Sequence, residues 1–246
     1  MLHFGLIGRS LSHSFSQNFF TAKFEAEQRA ADYSLIEMES IATINNIIAK
    51  YGLVGFNVTI PYKESIIPYL DELTDEAKAV GAVNCVALRD GKTIGHNTDI
   101  RGIEASLGWI DIAEGAKALI LGTGGASKAV QYVLKRMGIE YKVVSRDAQR
   151  GDITYDELTS EVIKEHSLII NATPVGTAPN IEEAPQLDYS ALDESHRLFD
   201  LVYNPATTAF MRRGEERGAQ TMGGIMMLQT QAIASWHFWQ RELEIK

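Results

Sequence analysis

The chain has 246 residues, of which 45% are hydrophobic and 22% charged, and this composition is typical of a globular protein with a substantial core. The formal net charge of −9 argues against nucleic acid as a partner, and no apolar run is long enough to span a bilayer. The single cysteine, Cys85, excludes an internal disulfide and fits a reducing compartment, so we expect a cytoplasmic protein without a membrane partner.

Strand and helix patterns alternate over the first hundred residues. Hydrophobic periodicity and turn residues predict nine elements, at residues 3–7, 14–28, 33–38, 41–50, 53–59, 64–70, 75–80, 82–88 and 93–95. The segments at 3–7, 33–38, 53–59, 82–88 and 93–95 are predicted as strands, and those at 14–28, 41–50, 64–70 and 75–80 are predicted as helices. These elements complete an α/β layer by themselves. We therefore predict an N-terminal α/β domain over residues 1–100.

A second α/β set begins near Ala116. The pattern predicts strands at 118–121, 141–144, 167–170 and 197–202, and helices at 128–137, 206–217 and 225–242. We expect a second domain over residues 101–224 and an active-site cleft between the two domains. The last helix, at about 225–246, is expected to pack back on the first domain.

A glycine-rich turn links the strand at 118–121 to the following helix. The turn reads Gly122-Thr123-Gly124-Gly125-Ala126-Ser127, and a second strand follows the helix within about 30 residues. Glycines let the backbone approach a pyrophosphate, and the start of the helix offers it unpaired N–H groups. The layout favours a Rossmann-like dinucleotide-binding domain over a simple connecting turn, although Ser127 replaces the usual third glycine.

The end of the second strand indicates which dinucleotide is bound. An NAD site usually has an acidic residue here, whereas this chain has Ser145 and Arg146, with Lys128 early in the preceding helix. A hydroxyl and two cations suit a 2′-phosphate, because arginine makes forked bonds to phosphate oxygens. We favour NADP over NAD, although Asp147 follows directly and leaves NAD as the alternative.

Polar clusters follow the strands of the first half. Ser14 and Ser16 open a helix and suit either a carboxylate or a plain N-cap. Thr59 ends a strand shortly before Lys63, and a lysine in a cleft can exchange protons. Asn84 lies early in the strand predicted at 82–88, and Asp99 is either an N-cap or a site residue. No cluster has metal-ligand spacing, so we expect no metal.

On the last helix, Gln231 falls on the same stripe as Met227, Ala234 and Phe238. A glutamine on a buried face needs partners, which are either backbone groups or a polar ligand in the cleft.

Taken in order, the segments around these residues resemble the shikimate dehydrogenase family over nearly the whole chain. The carrying segments are Gly8 with His13-Ser14-Phe15-Ser16, Asn57 to Lys63, Gly81 to Asn84, Asn97-Thr98-Asp99, Gly122 to Ser127, Asn171 to Pro174, Asp200 to Tyr203, and Met227-Leu228 with Gln231. The resemblance implies an oxidoreductase that reduces 3-dehydroshikimate to shikimate with NADPH, on the route to chorismate and the aromatic amino acids. A monomer or a homodimer is expected.

The resemblance also implies roles for individual residues. It makes Lys63 and Asp99 the catalytic pair. The substrate-binding residues would be Ser14, Ser16, Thr59, Asn84, Tyr203 and Gln231. The cofactor-binding residues would be Gly122, Gly124, Gly125, Ala126, Lys128, Ser145, Arg146, Asn171, Thr173, Val202 and Gly224. Tyr203 would also line the cofactor side of the cleft, together with Asn171, Thr173 and Val202. The nearest rival is an NAD-dependent quinate/shikimate dehydrogenase, which Asp147 favours, and a regulator without catalysis is a third interpretation.

Overall fold

The computed structural model describes residues 1–11 and 15–245, and the chain divides into two compact units. The first comprises Met1–Thr98 with Gln231–Lys246, and the second comprises Asp99–Thr230. Each unit contains one six-stranded sheet covered by helices, so the predicted α/β class is confirmed. Among the residues described, no helix is both long enough and apolar enough to cross a membrane.

The first unit has a mixed sheet. Its elements in chain order are β1 (Leu2–Gly8), α1 (Phe15–Ala26), β2 (Ala31–Glu37), α2 (Ile44–Tyr51), β3 (Leu53–Val58), β4 (Glu72–Leu73), α3 (Asp75–Val80), β5 (Cys85–Arg89) and β6 (Lys92–His96). The strand order is β2-β1-β3-β5-β6-β4. Strands β1, β2 and β3 are parallel, whereas β5 runs antiparallel to β3 and β6. Polar residues that follow β1 and β3 therefore lie at the same edge of the sheet.

The second unit has a fully parallel sheet. Its elements are α4 (Asp99–Leu107), β7 (Lys117–Leu121), α5 (Gly125–Met137), β8 (Glu140–Ser145), β9 (Ile153–Thr154), α6 (Ser160–Lys164), β10 (Leu168–Asn171), β11 (Arg197–Asp200), α7 (Ala209–Glu215) and β12 (Gln220–Met222). The strand order is β12-β11-β10-β7-β8-β9. The order reverses at β7, and open parallel sheets bind ligands at such a switch point. The last helix, α8 (Ile225–Glu242), has its first residues in this unit and the rest in the first unit.

Burial explains why the strands of the second unit are continuous apolar runs. Leu119, Ile120 and Leu121 on β7 are fully buried, as expected for a parallel strand with helices on both faces. Helix α5 directs Val130, Val133 and Leu134 to the core at helical spacing. Gly138 ends the helix in the left-handed conformation, with φ of 72°.

In the first unit the aromatic residues of α8 complete the core. Trp239 is fully buried, and its indole N–H donates to the carbonyl of Val86 on β5 at 2.9 Å. A Cβ atom on Gly55 of β3 would lie 2.7 Å from the Trp239 Nε1 atom, so only glycine lets the ring lie on the sheet here. Trp236 and Phe238 are also buried, which fixes the face of α8 that carries Gln231.

Several predicted elements were wrong in type or extent, and one is α5, which was predicted from residue 128 and begins at Gly125. Residues 64–70 form turns and a short 3₁₀ helix (Ile67–Tyr69) instead of an α-helix, because Pro68 has no N–H for a continuous ladder. The strand predicted at 82–88 begins only at Cys85, since Val83 N–H donates to the Lys63 carbonyl at 2.7 Å and leaves the ladder. The helix predicted at 206–217 begins at Ala209, because Thr208 caps it by accepting from Met211 N–H.

Candidate active site

The glycine turn of the second unit is shaped for close approach of a ligand. Gly122 has φ of 106°, and a Cβ atom there would lie 2.8 Å from Thr173 Cγ2. Gly124 is exposed, caps α5, and has no neighbour within 4 Å of where a Cβ atom would stand. Gly125 opens the first turn of α5, and Ala126 and Lys128 are half-buried beside it. The unpaired N–H groups of this turn suit a pyrophosphate.

Ser127 replaces the third glycine without disrupting the helix. Its side chain is fully buried, and its hydroxyl accepts a hydrogen bond of 3.2 Å from Gln131 one turn later. A small hydroxyl therefore permits the close packing of helix on strand that a glycine usually provides.

The loop after β8 folds back beside the glycine turn. Ser145 is buried, and its hydroxyl accepts from the Asp147 N–H at 3.0 Å. Arg146 is exposed, and its charge acts on Tyr155. Burial raises the pKa of the Tyr155 phenol, and the positive charge of Arg146 opposes that rise. The Asp147 carboxylate accepts from Gln149 N–H at 2.9 Å and so shapes the loop.

A second guanidinium of this loop lies at the glycine turn. Arg150 donates to the Thr123 carbonyl at 3.3 Å. Arg150 was not among the predicted site residues. The sequence does contain a signal for it, since it is the second arginine of the polar loop that follows β8. Its proximity to Thr123 depends on how the loop folds back. A Cβ atom on Gly151 would lie 2.7 Å from the Ser145 Cβ atom, so glycine allows that return.

Buried polar residues connect the ends of β10 and β11. Asn171 is fully buried, and its amide donates to Asp200 at 2.9 Å while its oxygen accepts from the Thr173 hydroxyl at 2.6 Å. Asp200 also accepts from the Val202 N–H at 3.0 Å and from the Thr208 hydroxyl at 2.6 Å. Burial raises the pKa of Asp200 to about 6, and these three hydrogen bonds oppose the rise. The network fixes Thr173 against Gly122.

Three more predicted site residues of the second unit, Val202, Tyr203 and Gly224, lie close to the end of β11. Val202 is buried and Tyr203 is 37% exposed. The Gly224 N–H donates to the Val202 carbonyl at 3.0 Å, and a Cβ atom on Gly224 would lie 2.3 Å from the Leu201 carbonyl oxygen. Close packing on the backbone therefore explains the glycine by itself, and its contact with a cofactor stays a prediction.

Lys63 lies in the turn after β3 in the first unit and is half-buried. Its carbonyl accepts from Val83 N–H at 2.7 Å, which ties the lysine segment to the residues before β5. Thr59 is half-buried directly after β3, and its N–H donates to the Ile7 carbonyl of β1 at 2.9 Å. The backbone positions of both residues are therefore set by neighbouring strands.

A buried hydrogen-bond network joins residues that are distant in sequence. Asn84 Nδ2 donates to the Thr98 hydroxyl at 2.9 Å and lies 3.5 Å from Gln231 Oε1. The Thr98 N–H donates to Asn84 Oδ1 at 2.6 Å, which fixes the orientation of the amide. Asn84 and Gln231 are separated by 147 positions in the chain, so α8 brings together two of the predicted substrate-binding residues.

Ser16 enters the same network through Tyr33. It is buried on α1 and is a hydrogen-bond partner of Tyr33, whose hydroxyl donates to Asn57 Oδ1 at 2.8 Å. Burial and the nearby Cys85 thiol raise the pKa of Tyr33, and the bond from Ser16 opposes that rise. Ser14 lies outside the described residues. The sequence pointed to the segment from Asn57 to Lys63, but Tyr33 and its contact with Asn57 were not predicted, because that contact requires several strands to meet.

Asp99 is the first residue of α4 and is buried. It directly follows Thr98, whose side chain belongs to the network around Asn84. Within residues 1–11 and 15–245, no group of three or more His, Cys, Asp and Glu side chains is arranged to hold a metal ion.

The second unit has a glycine turn with a cationic loop, and the first unit has the buried network around Asn84 and the half-buried Lys63. These are the features of a dinucleotide-dependent oxidoreductase with a small polar substrate. Comparison with known proteins identifies the family. Residues 6–86 match the family described as "Shikimate dehydrogenase substrate binding domain". A shikimate dehydrogenase (NADP(+)) of Clostridium beijerinckii is 36% identical over 250 residues, covering 98% of this chain and 92% of the relative. The chain belongs to the shikimate dehydrogenase family.

Solved structures agree with this assignment. The crystal structure of shikimate dehydrogenase 1 from Peptoclostridium difficile is 39% identical with a TM-score of 0.86, covering 98% of this chain and 92% of that one. Shikimate 5-dehydrogenase from Thermus thermophilus, in complex with NADP(H) and shikimate, is 30% identical with a TM-score of 0.87. That alignment covers 98% of this chain and 94% of the Thermus chain, so both units of the fold match.

Proposed function

We propose that this protein is an NADP-dependent shikimate dehydrogenase, which reversibly reduces 3-dehydroshikimate to shikimate in chorismate and aromatic amino acid biosynthesis. Membership of the family supports the reaction. The observation that supports the proposal is the meeting of Asn84 and Gln231 in one buried network with Ser16, since three proposed substrate-binding residues from distant parts of the chain converge there.

In this proposal the substrate is held by hydroxyl and amide groups. Ser14 and Ser16 bind its carboxylate, and Thr59, Asn84 and Gln231 bind its ring hydroxyls. The Asn84 oxygen accepts from the Thr98 N–H, and one N–H of its Nδ2 group donates to the Thr98 hydroxyl. The other N–H, whose contact with Gln231 Oε1 is long at 3.5 Å, is the donor suited to a substrate hydroxyl oxygen. Tyr203, partly exposed after β11, is a further proposed substrate contact.

Lys63 and Asp99 are the proposed catalytic pair. When bound, NADPH supplies the hydride to the ketone carbon. The Lys63 ammonium stabilises the negative charge that builds on the ketone oxygen and gives that oxygen a proton. This interaction strengthens as charge develops, so it acts mainly in the transition state. The Asp99 carboxylate holds a neighbouring hydroxyl and orients the lysine.

The dinucleotide side fits NADP at the residues that the structure describes. Gly124 leaves open space for a pyrophosphate, Gly122 supplies the positive-φ turn that precedes it, and Gly125 and Ala126 offer N–H groups in the first turn of α5. Charge-assisted bonds from guanidinium groups discriminate a 2′-phosphate from a hydroxyl. The proposed partners of the 2′-phosphate are Arg146, Arg150, Lys128 and Ser145. The residues proposed to line the nicotinamide side are Asn171, Thr173, Val202 and Gly224.

The cell compartment and the assembly state are further parts of the proposal. The single cysteine, Cys85, is buried as a free thiol, which supports a cytoplasmic enzyme. We propose a monomer or a homodimer, and light scattering on the eluting peak of a sizing column measures which of the two forms.

Initial rates at 340 nm test the function, with shikimate and quinate each combined with NADP and NAD. We expect rapid reduction of NADP with shikimate and little turnover in the other three mixtures. Comparable rates with NAD or with quinate would favour the quinate/shikimate dehydrogenase instead and would implicate Asp147. Absence of turnover in all four mixtures would contradict the proposed enzyme.

A further inference from the structure

Ser235 on α8 is a buried junction between three segments of the first unit. Its side chain is fully buried, one helical turn after Gln231. The hydroxyl lies 2.8 Å from Asn57 Nδ2, 3.0 Å from Thr98 Oγ1 and 2.9 Å from the Gln231 carbonyl oxygen. One small side chain therefore connects α8 to β3 and to the segment after β6.

The direction of each hydrogen bond follows from the partners. Asn57 Oδ1 accepts from Tyr33, so its Nδ2 group donates, with one N–H to the Asn84 carbonyl at 3.1 Å and the other to Ser235. Ser235 gives its own proton to the Gln231 backbone carbonyl, which leaves its second lone pair for the Thr98 hydroxyl at 3.0 Å, a shorter contact than the 3.2 Å from that hydroxyl to Asn84 Oδ1. Thr98 then accepts from Asn84 Nδ2. Every hydrogen-bonding position of Ser235 is used.

We propose that Ser235 is a positioning residue that sets the substrate-binding geometry of Gln231 and Asn84. This inference rests on the proposed function. The direct Asn84–Gln231 contact is long, at 3.5 Å, so it alone holds the two side chains weakly in register. Ser235 supplies shorter connections. Its hydroxyl donates to the backbone carbonyl of Gln231, and it is linked to the Asn84 amide through the Thr98 hydroxyl.

Alanine at this position separates positioning from helix formation. Alanine is a better helix former than serine, so Ser235→Ala does not weaken α8 through propensity. It does leave the Asn57 N–H and the Thr98 hydroxyl without their buried acceptor. Ser235→Ala therefore removes hydrogen bonds of the network, and with them the proposed orientation of Asn84 and Gln231.

The experiment compares steady-state kinetics and thermal stability of wild-type protein, Ser235→Ala and Ala232→Gly. Ala232 is buried on the same helix but has no side-chain hydrogen bond, so its glycine variant lowers stability without altering the network. For Ser235→Ala we expect the KM for shikimate to rise by about three- to thirtyfold, with a change of less than about twofold in the KM for NADP. Ala232→Gly should lower the melting temperature and leave both KM values unchanged.

A second variant and a double mutant complete the test. Thr98→Val should reproduce the rise in the KM for shikimate if Ser235→Ala does not fold, and Thr98→Ser, which keeps the hydroxyl, should restore it. If Ser235 acts through Gln231, then Ser235→Ala has little further effect in a Gln231→Ala background. A lower melting temperature with an unchanged KM for shikimate overturns the inference, and fully additive effects in the double mutant overturn the part of it that concerns Gln231. An inactive wild-type protein instead contradicts the proposed function.

Discussion

The amide of Asn171 donates a hydrogen bond of 2.9 Å to the carboxylate of Asp200, and both side chains are fully buried. This contact joins the ends of two parallel strands, β10 and β11, and holds the Thr173 side chain beside the glycine turn. Because burial raises the pKa of Asp200 to about 6, the charge of this contact changes in an accessible range of pH.

The raised pKa of Asp200 predicts how stability depends on pH. The folded-state pKa of about 6 lies above the ordinary value of 3.8, so the folded protein binds more protons between these values than the unfolded protein. The contribution of Asp200 is fully present below the ordinary pKa and is lost as pH rises through about 6. We therefore expect the free energy of unfolding to fall by about 3 kcal/mol as the pH rises from 3.8 to about 6.

Denaturant titrations between about pH 4 and pH 7 measure this contribution. Asp200→Asn keeps an oxygen for Asn171 and Val202 but cannot titrate, so its stability should vary less with pH than that of wild-type protein. Glu140→Gln, which removes an exposed carboxylate on β8, serves as the control and should keep the wild-type slope. An unchanged slope in Asp200→Asn would show that the carboxylate titrates normally.

Much of the second unit was predictable because its signals are local. The apolar run at 118–121, the glycine turn and the helix after it determine one another over a short stretch, and β7 and β8 lie where they were predicted, with α5 between them. The family and the α/β class were also predicted correctly, and the Clostridium and Thermus relatives are named for or bound to NADP, the predicted cofactor. Each motif that carries these predictions consists of residues that are adjacent or nearly adjacent in sequence.

The parts that were not predicted depend on distant segments. Ser235 meets Asn57, which is 178 positions away, and no periodicity in either helix or strand signals that contact. Arg150 reaches Thr123 only because the loop after β8 returns over Ser145. The helix predicted at 64–70 was wrong because Pro68 lacks the N–H that a continuous α-helical ladder needs at that position.

The role of Lys63 in the transition state predicts a loss of turnover. Lys63→Ala should lower kcat by about 100-fold or more with a modest change in the KM for shikimate, because the ammonium acts mainly on charge that develops during the reaction. Lys78→Ala removes an exposed lysine of α3 in the same unit and should leave both constants unchanged. Near-normal kcat in Lys63→Ala would exclude it as the proton donor.

Arg146 is expected to discriminate between the two dinucleotides. Arg146→Ala should raise the KM for NADP by about tenfold or more and change the KM for NAD by less than about threefold, since only NADP carries the 2′-phosphate. The ratio of the two KM values is the measurement, because it cancels effects on folding. Equal losses with both cofactors would indicate that Arg146 contributes only to the loop.

Asp147 is expected to oppose NADP binding. Its carboxylate shapes the loop by accepting from Gln149 N–H, and a serine can make a similar local bond without the charge. Asp147→Ser should therefore lower the KM for NADP by about two- to fivefold, because one negative charge beside the 2′-phosphate is removed. Asp156→Ser, outside this loop, is the control, and a raised KM for NADP in Asp147→Ser would show that the carboxylate is needed for the loop shape.

The two glycines of the turn are expected to respond differently to alanine. Gly124 has φ of −83° and open space where a Cβ atom would stand, so Gly124→Ala should fold with a melting temperature within about 2 °C of wild-type protein. Its methyl group would nevertheless occupy the approach to the helix start and should raise the KM for NADP by about tenfold or more. Gly122→Ala should lower the melting temperature, because φ is 106° and its Cβ atom would lie 2.8 Å from Thr173. A Gly124→Ala variant with both normal stability and normal NADP binding would exclude the turn as the pyrophosphate site.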